Sequence, residues 1–222
     1  VRGAASLCAV AALAYLFVQD LLTIFVSALM GMRVQGASLS DPVGFSVAVQ
    51  GLLGIVVAAG SIVLPLWWLL RATRLQTPDL RILLPAPWSP AFCLVVFLGL
   101  ANAGNLFGGL LARGLGVTTS STALPAGGLD LFIRSFSLCV VPAVLEEIYF
   151  RGALQGIMRP SGSSVAIFAP ALLFALLHLD LAQSITALVC GIFLGWLVER
   201  SGSILPGMLL HFINNTLAFL SL

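Results

Sequence analysis

Six residues in the second half of this sequence combine charge, proton-transfer chemistry and hydrogen bonding inside otherwise apolar runs. Glu146, Glu147 and Arg151 lie in VLEEIYFRG, His178 ends FALLH, and His211 and Asn215 frame HFINN. The chain has two histidines, and both fall in this group. A charged side chain in hydrocarbon costs several kcal/mol, so each such residue is a functional candidate by default.

Helical geometry sorts them. At about 100° per residue, Glu147 and Arg151 are about 40° apart and can pair, whereas Glu146 and Arg151 are about 140° apart. Glu147–Arg151 therefore reads as an internal ion pair, and Glu146 as the unpaired acid. An unpaired carboxylate in low dielectric is a candidate general base. His211 and Asn215 are also four apart, so one helix face offers an imidazole and an amide to a developing oxyanion. Asn214 is expected to face away and bond a neighbouring helix. Asp20 with Gln19, and Asn102 and Asn105, read as interhelical hydrogen-bonding groups.

The elements that must position these residues are membrane helices. The 222 residues are 60% hydrophobic and 8% charged, with a mean hydropathy of +1.12. A soluble domain carries about a quarter charged residues. Net charge is +2 and lysine is absent, so there is no basic patch for nucleic acid. Cys8, Cys93, Cys139 and Cys190 stand singly in apolar runs and read as small core residues.

A span needs about 20 mostly apolar residues. Seven runs qualify or nearly so: 4–31, 44–70, 91–112, 132–157, 164–180, 184–199 and 203–221. The fifth and sixth are short, with a tight connection near Asp180. The first is too long for a signal peptide's apolar region and reads as a span. The reading is an all-α polytopic bundle: one integral membrane domain over 1–222, with accessory spans in 1–130 and motif-bearing helices in 131–222.

Breaker-rich loops are expected over 71–90 and 113–130. Arg2, Arg71, Arg74, Arg81, Arg159 and Arg200 fall at one set of span ends, and Arg33, Arg113 and Arg134 at the other. That asymmetry predicts a cytoplasmic N-terminus in a plasma (inner) membrane protein. Gly104/Gly108, Gly152/Gly156 and Gly191/Gly195 are candidate helix-packing faces. Pro65 and Pro170 are expected to kink their spans, and Pro142 and Pro206 to sit near helix starts.

Glu146-Glu147-x-x-x-Arg151, Phe174-x-x-x-His178 and His211-x-x-x-Asn215, in that order in hydrophobic helices, resemble the motifs of the CAAX-protease and bacteriocin-processing family of intramembrane proteases. That family includes the eukaryotic endopeptidase that removes the last three residues of prenylated proteins. The resemblance covers about residues 131–221. It implies peptide hydrolysis by a water that Glu146 and His178 activate, with His211 and Asn215 as the oxyanion hole. It further implies that Glu147 and Arg151 hold the architecture and that Phe174 shapes the pocket. Eukaryotic-type members look like eight-span proteins, one more than is counted here.

No cofactor is implied on this reading. The rival is a zinc enzyme using Glu146, His178 and His211 as a His₂Glu set, although no HExxH is present. A non-catalytic membrane scaffold is a second alternative. A transporter is a third, and predicts polar residues over several spans and internal symmetry, neither of which is seen. The expected partners are the lipid bilayer and a peptide or protein substrate, with a lipidated C-terminus or a peptide leader as the candidate forms.

Overall fold

A computed structural model describes residues 2–36, 47–73, 75–117 and 128–220. These residues form seven helices, here α1 (Arg2–Gly36), α2 (Val47–Thr73), α3 (Pro90–Gly114), α4 (Gly128–Ser161), α5 (Ser163–Leu176), α6 (Leu181–Ser201) and α7 (Leu205–Leu220), with no strand among them. Parts of α1 and α2, and all of α3, α4 and α6, are long and apolar enough to cross a membrane. With its hydropathy, this defines an integral membrane helix bundle.

The run over 184–199 is not short. It lies in a 21-residue helix, because Leu181, Ala182 and Gln183 join its first turn once Asp180 caps it, accepting from the Gln183 backbone N–H at 2.8 Å. The short helices are α5 and α7, with 14 and 16 residues. At 1.5 Å per residue these rise about 21 and 24 Å, less than a hydrocarbon core of about 30 Å.

The segment over 75–89 is strapped across one end of the bundle. Glu199 takes Arg159 at 2.9 Å and Arg81 at 3.4 Å, and Gln155 donates to the same carboxylate at 2.8 Å. Arg81 also donates to Val198 O at 2.8 Å, Ala86 N–H to Ser201 O at 2.8 Å, and Ser203 Oγ to Leu83 O. Arg71 lies over Trp67 and Arg200 over Trp196, with 4.7 and 5.9 Å to the ring centres. Arginine and tryptophan together suit the headgroup level. Arg74 and most of 113–130 lie outside the described residues, as do the side chains of Arg2 and Arg33.

Small residues bring the helices close. A Cβ on Gly104 or Gly108 would lie 2.9 Å from Thr186 Cα or 2.6 Å from Ala182 O, so α3 and α6 meet at backbone distance. Gly191 and Gly195 likewise close α6 onto α4 and α5. Gly152 and Gly156 differ from expectation: they face Leu80 O and Asp79 O of the turn Thr77–Leu80, not another helix. Asn105 accepts from Thr186 at 2.8 Å, joining α3 to α6 as expected. Asn102 instead donates to Leu98 O of its own helix, because its side chain points to the exposed surface.

Pro65 and Pro170 lie inside α2 and α5. Pro206 is the second residue of α7, as anticipated. Pro142 is the second residue of the α-helical stretch Val141–Glu146, as anticipated, and this stretch continues α4 after a π turn over Phe136–Val140. The wider π turn lets the helix absorb a residue without an N–H. The four cysteines are buried and unpaired.

Gly108→Ala should lower the melting temperature in detergent, because its new methyl meets backbone that cannot step aside; overpacking typically costs about 1–3 kcal/mol. Gly109→Ala, whose Cβ meets nothing within 4 Å, should be neutral or stabilising. Equal melting of the two variants would contradict this packing.

Candidate active site

The site is built on α4, which runs through two π stretches, Phe136–Val140 and Glu147–Leu154. Single π turns inside α-helices recur at functional sites. Here the second follows Glu146 directly, so adjacent acids reach different surroundings. Glu147 and Arg151 are fully buried, with their ion pair at 3.1 Å. Glu146 remains partly accessible at 17% of its side chain and faces a cavity of about 410 Å³. Arg151 pairs with Glu147, as the helical spacing requires.

The pair is more than a helix staple. Glu147 Oε1 also lies 3.1 Å from His211 Nδ1 on α7. A carboxylate accepts, so His211 Nδ1 carries the proton and donates. Arg151 lies over the Phe174 ring at 4.5 Å on its other side. Its Nη1 and Nη2, and Glu147 Oε2, have no aligned hydrogen-bond partner among the described residues, so the Arg151–Glu147 contact is Coulombic rather than a directed bond. Space for the pair comes from two glycines. A Cβ at Gly191 would lie 3.2 Å from Arg151 Nη2, and one at Gly207 would lie 3.0 Å from Glu147 Oε2.

Phe174 links the two imidazoles. Its ring meets His178 edge-on at 4.7 Å and His211 at 6.1 Å, and it packs on Phe150 at 5.0 Å. His178 Nδ1 lies 2.8 Å from Phe174 O, one turn back. A carbonyl only accepts, so this nitrogen too is the donor, and Nε2 keeps its lone pair. His211 Nε2 lies 3.8 Å from Glu146 Oε2.

Asn215 Nδ2 donates to Leu138 O at 3.3 Å. Leu138 is four residues before Pro142, which has no N–H with which to serve that carbonyl. A backbone carbonyl of the π stretch thus holds the Asn215 amide, and the second amide hydrogen is left over.

Glu146, Phe174, His178, His211 and Asn215 all line the one cavity. Glu147 and Arg151 lie behind it. Asn214 neither lines it nor hydrogen-bonds to a described residue, and Asp20 is exposed without such a bond; the helix contacts foreseen for these two are not made. Sequence reasoning missed Tyr15 and Gln19, which line the cavity from α1. Only the four-residue spacing that puts both on one face of α1 could have signalled them. Among the described residues, no three His, Cys, Asp or Glu side chains are grouped to hold a metal ion.

Fold and site define a class: membrane helix bundles that bury acids, imidazoles and an amide around an internal cavity. Residues 128–217 match the family model described as type II CAAX prenyl endopeptidase Rce1-like. Through these helices the chain is similar to the CAAX-protease family of membrane endopeptidases. No curated protein and no solved structure matches the chain.

Glu147→Gln should destabilise the protein by about 3–5 kcal/mol, because it strands a buried arginine. Glu146→Gln should melt within about 1 kcal/mol of the parent, and Glu147→Gln/Arg151→Met should recover much of the loss. Thermal unfolding of the three variants in one detergent checks this. Equal melting of the two single variants would contradict the division.

Proposed function

We propose that the chain is an intramembrane endopeptidase in which Glu146, assisted by His178, activates a water. The observation that carries this is the convergence of an acid with no arginine partner, two Nδ1-anchored imidazoles and a carbonyl-anchored amide on one cavity. Glu146 takes a proton from the water as that water attacks the scissile carbonyl carbon. His178 Nε2, with its lone pair free, accepts the water's other hydrogen and sets its direction. His211 Nε2 faces Glu146, and a proton there would stabilise the oxyanion together with the free Asn215 N–H. Collapse of the tetrahedral intermediate returns the proton from Glu146 to the leaving amine.

Phe174 forms the apolar wall, and Glu147 and Arg151 hold His211 and the helix without touching substrate. Family and cavity suit a peptide or protein entering from the bilayer, with a lipidated C-terminus or a peptide leader as the substrate class. The arginine-rich end holding Arg71, Arg81, Arg159 and Arg200 is the cytoplasmic one, which puts the N-terminus inside a plasma (inner) membrane.

A metal-dependent version has one observation in its favour. Both imidazoles have Nδ1 held by an acceptor and Nε2 turned to the cavity side, which is also how a metal-bound histidine is oriented. Against it, Glu146, His178 and His211 do not group as a metal-binding set.

Purified protein should cleave a peptide library after exhaustive chelation and contain well under one metal ion per chain. Glu146→Gln should abolish cleavage while remaining folded. His211→Ala and Asn215→Ala should each lower kcat by about 10²–10³ with modest change in KM. One zinc per chain, lost together with activity in His178→Ala and in His211→Ala and restoring the chelated parent, would overturn the metal-free mechanism.

A further inference from the structure

The cavity has a wall that the matched region, 128–217, does not supply. On α1, Tyr15 and Gln19 are one turn apart and both line the cavity opposite the Glu146 side of α4. This face of α1 is fixed to α4. Tyr149 Oη donates to Ala11 O at 2.8 Å, Cys8 Sγ approaches Leu154 O at 4.0 Å, and the Tyr15 ring packs on Tyr149 and Phe150 at 6.1 and 6.5 Å. Residues 8, 11, 12, 15 and 19 make one stripe, and its last member is an amide in an apolar span.

That amide is unused by the fold. Gln19 Oε1 is buried and has no hydrogen-bond partner among the described residues. A buried, unsatisfied acceptor carries a desolvation cost, and native proteins keep such groups mainly where something else completes them. Gln155 of α4 shows the contrast: it is spent on Gly195 O and Glu199. An extended peptide is a ligand that offers N–H and C=O together, matching the two functions of one carboxamide.

We propose that Gln19 binds the main chain of the substrate peptide, aligning it along α1 so that its scissile carbonyl reaches Glu146 and His178. The inference rests on the protease reading for the substrate class, and on the cavity geometry for the residue. Gln19 is then a binding residue supplied from outside the motif helices, and Tyr15 is the apolar floor beside it. The contact is to the main chain, so it selects an extended backbone rather than a side chain.

The test uses the full chain in detergent and a fluorescent S-prenylated peptide ending in cysteine plus three residues. Binding is measured in the Glu146→Gln background, where nothing turns over. Gln19→Met keeps the side chain's length and removes its hydrogen bonds. It should weaken binding about tenfold and leave melting unchanged or raised, whereas a structural glutamine would lower it. N-methylation of the peptide, scanned along its backbone, should weaken binding to the parent at one position and add nothing there in Gln19→Met. In the cleaving enzyme, Gln19→Met should raise KM with kcat within about twofold, and Asp20→Asn, exposed and off the cavity, should match the parent. Unchanged binding by Gln19→Met, or equal sensitivity of both proteins to every N-methyl group, would overturn the inference and leave the protease reading standing. Gln19-dependent binding with no cleavage by the parent would support the inference and overturn the protease reading alone.

Discussion

The carboxylate of Glu147 is the interaction on which the rest of the site depends. One oxygen meets Arg151 of its own helix and His211 of α7, each at 3.1 Å. Both side chains of the ion pair are shut away from solvent. A buried pair of charges gains little net stability against an apolar alternative, but losing one member is expensive. The pair is better understood as a positioning device: α4, α6 and α7 can close only in the arrangement that keeps both charges together. Gly191 and Gly207 mark where the backbones have yielded room for it. In that arrangement His211 has one allowed orientation and one allowed donor nitrogen, and Glu146 is left without a cation of its own.

The irregularities of α4 serve the same end. A regular α-helix would carry Pro142 as a fault, with a clash and an unserved carbonyl. The π turn over Phe136–Val140 accommodates the ring, and Asn215 takes up the Leu138 carbonyl. A defect in one helix thereby becomes the anchor for an amide on another. His178 is held similarly, by the carbonyl of Phe174 at the end of a helix too short to span the membrane. His178, His211 and Asn215 are each oriented by a backbone carbonyl or a buried charge behind them, which preorganised catalysis requires.

Much of this was legible in the sequence, because membrane helices punish polar residues. Composition and run lengths gave seven helices, and the rarity of ionisable groups isolated Glu146, Glu147, Arg151, His178, His211 and Asn215. The four-residue rule found the Glu147–Arg151 pair because both partners share one helix. It could not find Glu147 with His211, which are 64 residues apart and meet only after α7 packs on α4. Nor could it see the π turn that precedes Pro142, since a π turn has no simple sequence signature. Gln19 and Tyr15 went unrecognised as cavity residues for the same reason: which face of α1 meets α4 is a tertiary fact. The extent of α6 was underestimated because capping by Asp180 recruits Leu181, Ala182 and Gln183 into the first turn.

The central claim is that Glu146, unpaired because Arg151 is committed to Glu147, acts on a water rather than on the substrate itself. Single-turnover cleavage in H₂¹⁸O, with enzyme in excess over peptide, separates the two. Direct attack by the activated water puts ¹⁸O in the new carboxylate of the product on the first turnover. Attack by the Glu146 carboxylate would instead pass through a Glu146–acyl anhydride; its capture as the hydroxamate with hydroxylamine during the first turnover, or ¹⁸O left in Glu146, would be seen by mass spectrometry of the enzyme and would contradict the account.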